Sequence, residues 1–235
     1  LTFANDFGMT LARLPSLSEF HESTSESITI RPINVEDLLG RPQKLLDKGS
    51  VNRLVSGKRI LISGAGGSIG SELVSQLATF SPAHLSLLDN SEYNLFSVDL
   101  ELSERFPNLS RSALLADIRD KKRLKSVIQE ERPNIVFHAA ALKHVPMVEA
   151  NINEGMATNV IGTRNIADIS VELGVETFIQ ISTDKAVNPS SIMGASKRMA
   201  EQYCQALNIA QPGASQLNFI TVRFGNVLGS TGSVV

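Results

Sequence analysis

The chain has no tryptophan, only two tyrosines and a single cysteine among its 235 residues. One thiol, Cys204, excludes an internal disulfide framework and a cysteine-rich metal site, and it fits a reducing compartment. The four histidines, His21, His84, His138 and His144, lack ligand-like spacing, so no metal site is expected; His138, at a strand end, reads as a core residue. Neither sign of charge is in excess. The 22 Lys and Arg nearly balance 24 Asp and Glu, leaving −2, which disfavours a nucleic-acid binder. The run Lys121-Lys122-Arg123 reads as a solvated helix face. No stretch approaches the roughly 18 apolar residues needed to span a bilayer, and the N-terminus lacks the charged-then-apolar layout of a secretory signal. What is present, 42% hydrophobic and 20% charged residues, fits a soluble globular chain rather than a disordered one.

Residues 1–56 differ from the remainder. A Ser/Glu-rich stretch precedes a short strand expected over 28–32 and a helical turn over 35–40, so this part reads as an accessory or linker segment. From 57 to 235 short apolar runs alternate with helical periodicity. Strands are expected at 58–63, 84–88, 113–116, 135–138, 177–182 and 218–222, with helices at 68–80, 91–105, 120–130, 152–173 and 190–210. Successive βαβ units have right-handed crossovers and strands buried on both faces, so the fold class is α/β, a doubly wound parallel sheet of Rossmann type. The chain opens on Leu1 and stops on the apolar pair Val234-Val235; it is expected to be a piece of a longer protein.

Between the first strand and its helix lies Ser63-Gly64-Ala65-Gly66-Gly67-Ser68-Ile69-Gly70. Gly64, Gly67 and Gly70 permit a tight turn, close approach of a pyrophosphate and close helix packing, while the helix start at Ser68 and Ile69 offers N–H groups to phosphate. The next strand ends in Asp89, about 25 positions after Gly64, where an acid accepts from both ribose hydroxyls of NAD. Asn90, Ser91 and the residues after them supply no cation for a 2′-phosphate, so NAD is favoured over NADP. Asp117 and Ile118, and then Ala139, Ala140 and Ala141, follow two further strands on the same edge. A second polar group follows the fifth strand. Thr183, Asp184 and Lys185 place a hydroxyl, a carboxylate and an amine where a nicotinamide would lie, and Lys197 stands on the next helix one turn after Met193. Redox dehydration of a sugar needs a base at the oxidised hydroxyl, a base for the acidified C–H beside the new ketone, and an acid for the departing water.

With these strings in order, the chain resembles the extended short-chain dehydrogenase/reductase superfamily. More narrowly, it is similar to the nucleotide-sugar 4,6-dehydratases of the CapD-like polysaccharide-biosynthesis group. The resemblance rests on the 64–70 turn, Leu88-Asp89-Asn90-Ser91-Glu92, Ala139 to Pro146, Asn159 in Asn-Val-Ile-Gly-Thr, Ser182 to Pro189, and Val222 to Gly229. It implies bound NAD, a UDP-N-acetylglucosamine substrate and a UDP-linked 4-keto-6-deoxy product for surface glycans. By the same resemblance, Asp184 protonates the leaving 6-hydroxyl, Lys185 takes the C5 proton and Thr183 bonds the 4-hydroxyl. Lys197 holds the nicotinamide ribose, and Lys143, Asn159 and Asn226 bind the nucleotide sugar, Asn159 as the helix asparagine that organises the site. Met193 occupies the position of the superfamily's catalytic tyrosine, which leaves the C4 base to Lys197 or Asp184. A homo-oligomer through the helices at 152–173 and 190–210 is implied. So are a parent protein on the cytoplasmic face of a bacterial inner membrane and a small substrate subdomain largely missing here. A 4-epimerase and a non-catalytic NAD-binding module are the alternatives.

Overall fold

The structure, a computed structural model, describes residues 12–13, 31–32, 47–210 and 217–227. The chain divides into two compact units, Leu1–Asp47 and Lys48–Val235. In the first, strand β1 (Ala12–Arg13) pairs antiparallel with β2 (Arg31–Pro32). The rest of the strand expected over 28–32, and the turn expected over 35–40, lie outside the described residues.

The second unit holds a six-stranded parallel sheet. Its strands are β3 (Arg59–Ser63), β4 (His84–Asp89), β5 (Arg111–Leu115), β6 (Ile135–His138), β7 (Thr177–Thr183) and β8 (Asn218–Phe224), in the spatial order β5-β4-β3-β6-β7-β8. The doubly wound sheet expected from the apolar runs is therefore present. The order reverses between β3 and β6, and it is outside the carboxyl ends of the strands at such a switch point that this architecture takes ligands.

Alternation along each strand builds two cores. Ile60, Ile62, Leu85, Leu87 and Ile135 pack with Val74 and Leu77 of helix α2 (Ser68–Ala78) and with Leu95, Val98 and Leu102 of α3 (Glu92–Arg105). On the other face Leu61, Val136 and Phe178 pack with Leu124, Val127 and Ile128 of α4 (Lys121–Glu131) and with Ile166 and Ile169 of a helix over Thr163–Glu172. Local chemistry sets the helix starts. Ser91 accepts from Asn94 N to cap α3, and Asp120 accepts from Arg123 N to cap α4.

Several helical segments depart from expectation. Helix α1 (Lys48–Val55) is unanticipated, because a short segment with a glycine carries little periodicity; Val51 and Val55 nevertheless join the first core. A further short helix, α5 (Val145–Ala150), opens at Pro146, whose fixed φ suits a first turn. The helix expected over 152–173 is broken into α6 (Ile152–Met156), a π-helical turn Ala157–Gly162, and α7 (Thr163–Glu172). Two side-chain facts accompany the break. Thr163 Oγ1 donates to Asn159 O at 2.7 Å, and a Cβ on Gly162 would sit 2.5 Å from Ile118 Cδ1. The last helix, α8 (Ile192–Ala210), begins two residues later than expected, with Ser191 Oγ accepting from Gly194 N.

His138 ends β6 in the interior, fully buried. Thr163 spends its hydroxyl proton on Asn159 O. It must therefore accept from His138 Nε2–H at 2.9 Å, which leaves Nδ1 to accept from Ser63 Oγ at 2.7 Å. The ring is neutral in this arrangement. Burial first, and the Lys197 charge second, push its pKa down to about 3. An unfolded histidine takes a proton near 6.5, so below that pH the unfolded state binds a proton the folded state refuses. Stability is lost as the pH falls from 6.5 towards 3, by about 1.4 kcal/mol per unit. Urea unfolding at pH 6.5 and 5 should differ by about 2 kcal/mol more in the wild-type chain than in His138→Gln.

Candidate active site

The glycine turn is shaped by what it must avoid. Gly64 has φ of 72°, and a Cβ there would lie 2.6 Å from Ala140 N. Its own N–H and that of Ala65 donate to Leu88 O at 2.8 and 3.1 Å, tying the turn to the end of β4. Gly70 is pressed harder: a Cβ would fall 1.9 Å from Gly64 O. Gly66, which carried no sequence signal separate from its neighbours, is also required, since a Cβ would meet Asn94 Cβ at 2.5 Å.

Asp89 is the last residue of β4 and is buried. Its Oδ2 accepts from Gly66 N at 2.8 Å and its Oδ1 from Ser91 N at 2.9 Å. Two main-chain donors thus hold the carboxylate rigidly, and each oxygen keeps lone-pair capacity for a ligand hydroxyl. The cavity over this edge, about 330 Å³, is lined by ten of the expected cofactor residues: Gly64, Gly67, Asp89, Asn90, Ser91, Asp117, Ile118, Ala139, Ala140 and Ala141. Ser68, Ile69, Gly70 and Lys197 do not line it. The first three begin α2 and pack the turn, and Lys197 lies beneath β7.

The sequence reading missed Asn94, Arg119, Glu154 and Thr158 on this wall. Arg119 corrects the view that no cation is near, because it arrives from a different strand end from Asp89. Its charge is already engaged. Arg119 Nε reaches both Asp117 oxygens at 3.0 and 2.9 Å, and Nη1 reaches Glu154 at 2.5 Å. The Arg119 hydrogen bond is the main reason the Asp117 carboxyl lies below the usual carboxylate range. Three acids, Asp89, Asp117 and Glu154, therefore face one arginine, a balance that repels an added phosphate.

The second polar group lies after β7. Thr183 ends the strand, and Asp184–Ala186 form a 3₁₀ turn capped by the Thr183 hydroxyl, which accepts from Lys185 N. Thr183 Oγ1 donates to Asp184 Oδ1 at 3.0 Å. Lys185 Nζ donates to Asp184 Oδ1 and to Asn226 Oδ1, each at 3.2 Å. Asp184, Lys185 and Asn226 are exposed. The Lys185 and Thr183 hydrogen bonds hold the Asp184 carboxyl below the ordinary range. Lys143 stands exposed on the loop after β6.

Beneath this group Lys197 Nζ donates to Ile181 O at 2.7 Å. That is its one hydrogen bond among the described residues, so two of its three N–H donors remain for a ligand. Burial lowers its pKa to about 8, against the raising influence of Glu201. Met193 is 4% exposed and offers a thioether, so it transfers no proton. Gly194 lets α8 approach the 3₁₀ turn, where a Cβ would meet Lys185 O at 2.3 Å. Asn159 corrects another expectation. It is fully buried; its Oδ1 accepts from Leu142 N, and its Nδ2 donates to Leu142 O and Ser196 Oγ. It braces the loop that carries Lys143 and has no surface for a substrate. Among the described residues no cluster of His, Cys, Asp and Glu could hold a metal ion, and no helix is long and apolar enough to cross a membrane.

A sheet reversing at a glycine turn, with an acid and small side chains along the same edge, is the ground on which the chain can be compared with known proteins. The family described as "Polysaccharide biosynthesis protein" matches residues 60–235. The chain belongs to this family. It is 43% identical over 229 residues to the capsular polysaccharide biosynthesis protein CapD of Staphylococcus aureus, covering 97% of the chain and 38% of that protein. It is 38% identical over 184 residues to a UDP-N-acetylglucosamine 4,6-dehydratase (inverting) of Campylobacter jejuni, covering 77% of the chain and 53% of that protein. Among solved structures, Pen from Bacillus thuringiensis superposes with a TM-score of 0.70 at 35% identity, over 76% of this chain and 55% of that one. The chain thus spans well under two thirds of the length of each of these relatives.

Proposed function

We propose that this chain carries the cofactor site and catalytic strand ends of an NAD-dependent nucleotide-sugar 4,6-dehydratase acting on UDP-N-acetylglucosamine. The observation that carries the reading is the Thr183, Asp184, Lys185 and Asn226 cluster. It stands at the carboxyl edge of β7, directly above the buried Lys197. Epimerisation at C4 needs no acid and base at C5 and C6, whereas a bonded carboxylate and amine supply both. The dehydratase relative supports the same substrate class.

When bound, NAD would supply a hydride acceptor for C4 and, once reduced, a hydride donor for C6. This chain's residues manage the protons. Thr183 orients the 4-hydroxyl, whose proton passes to Lys197 or Asp184 directly or through water, since Met193 cannot take it. Lys185 accepts the C5 proton, and Asp184 gives a proton to the leaving 6-hydroxyl. In the resting geometry Asp184 is the carboxylate and Lys185 its hydrogen-bond donor. Their 3.2 Å contact is therefore the route by which a proton reaches Asp184 before water departs. Ile152, Ile161 and Met199 are exposed apolar residues on α6, the π-helical turn and α8, and they support pairing of two copies through these helices.

Asp89→Ala should weaken NAD binding by about ten- to a hundredfold, the cost of losing hydrogen bonds to a charged group, and should narrow the preference over NADP, both read by titration calorimetry. The function itself is tested by mixing a full-length form with UDP-N-acetylglucosamine and following 4-keto sugar absorbance. Formation of the keto sugar supports dehydration; bound NAD without any turnover supports a non-catalytic module instead.

A further inference from the structure

Lys197 has one charged neighbour that the proposed chemistry does not use. Glu201 lies one turn further along α8 and is 5% exposed. It is gripped from the adjoining strand: Arg223 Nε and Nη2 reach its two oxygens at 2.9 and 2.6 Å, and Arg198 Nη1 adds a contact at 3.2 Å. Arg223 pairs with Ser182 in the β7–β8 register, and Phe224 pairs with Thr183. Three residues past Arg223, Asn226 accepts from Lys185 Nζ. One ion pair therefore joins the helix bearing Lys197 to the strand whose end touches Lys185.

The other titratable groups around Lys197 are either uncharged near neutral pH or bonded to other groups. His138 on β6 is held neutral by burial, and burial raises the Cys204 thiol on α8 to about 12. Asp168 on α7 is engaged by Tyr203 Oη at 2.6 Å, and Asp184 and Lys185 on the 3₁₀ turn satisfy each other. Glu149 of α5 accepts from Ile192 N at the start of α8, and Glu154 of α6 pairs with Arg119. Glu201, four residues further along the same helix, is the carboxylate whose charge bears on the Lys197 ammonium. Burial pushes its own carboxyl up, but hydrogen bonds, that of Arg223 foremost, together with the Arg223 charge hold it below the ordinary range.

We propose that Glu201, clamped by Arg223, is a positioning residue of this site: it fixes the charge state of Lys197 and the placement of Asn226 against Lys185. The inference rests on the function proposed above only for what Lys197 holds, the nicotinamide ribose. Removing the Glu201 charge makes the ammonium easier to deprotonate. Removing its arginine leaves the carboxylate less compensated and makes the ammonium harder to deprotonate.

The test is NAD affinity of the full-length protein as a function of pH, which requires no sugar. Wild type should lose affinity as the pH rises through about 8. Glu201→Gln should move that midpoint down by about two pH units, as expected for a unit charge one helical turn away at an effective dielectric of about 20. Arg223→Gln should move it up, and Arg223→Lys should leave it in place. A merely structural pair would weaken binding in both glutamine variants without opposite displacements. Unmoved midpoints, displacements of the same sign, or a wild-type affinity flat across this range would overturn the proposal. A protein that shows the opposite displacements yet transfers no hydride from UDP-N-acetylglucosamine would sink the dehydratase reading and leave this one standing.

Discussion

In a full-length form, Asp184→Asn and Lys185→Met should each reduce 4-keto-6-deoxy product by about 10²- to 10⁴-fold, the range of a positioned acid or base. The two substitutions leave Lys197 and Asp89 in place, so cofactor binding should survive. The stage of arrest distinguishes their roles. Lys185→Met removes the acceptor of the C5 proton, and hydride already taken from C4 has no route to C6 until water departs. Reduced cofactor should accumulate, visible in its near-ultraviolet absorbance, while product stays absent. If Asp184 also takes part in removing the 4-hydroxyl proton, Asp184→Asn should show a smaller burst. A full burst in that variant would assign the C4 proton to Lys197.

Gly70→Ala should be the most damaging single methyl addition in the nucleotide-binding turn. The added carbon would lie 1.9 Å from Gly64 O, and the obstacle is main chain rather than a mobile side-chain tip. Gly64→Ala meets a similar obstacle at Ala140 N, 2.6 Å away, in a left-handed conformation. Overpacking against backbone, combined with loss of the turn, should cost at least about 3 kcal/mol of unfolding free energy in each case and abolish NAD binding. Gly57 provides the control, because it shares the positive φ but has nothing within 4 Å of its added carbon. Gly57→Ala should cost only about 1 kcal/mol, the backbone strain alone, and retain NAD. Chemical denaturation of the three variants separates steric obstruction from conformational strain.

Much of this site was legible in the sequence because strand ends in a parallel sheet converge on one edge. Once β3, β4, β6 and β7 were recognised by their apolar runs, Gly64, Asp89, Ala139 and Thr183 had to share that edge. What spacing could not carry was side-chain traffic between distant segments. Arg119 follows β5, the strand end that also carries Asp117, so nothing in the residues after Asp89 signals it, and its partner Glu154 lies 35 positions further on. Asn159 looked like a substrate contact because its string is distinctive; burial and its bonds to Leu142 make it a brace. The π-helical turn was hidden because periodicity alone does not distinguish one extra residue per turn over so short a span. Glu201 gave no motif signal and Arg223 lay unremarked within the Val222 to Gly229 string, since an ion pair between a helix and a strand more than twenty positions apart exists only after the sheet has formed.

The central claim, that Asp184 and Lys185 turn hydride chemistry at C4 into loss of water across C5 and C6, is tested most directly by product mass. A full-length form is incubated with UDP-N-acetylglucosamine in heavy water. The account predicts a sugar nucleotide lighter by one water and carrying one solvent deuterium at C5. A product of unchanged mass, inverted at C4 and free of deuterium at C5, would contradict it.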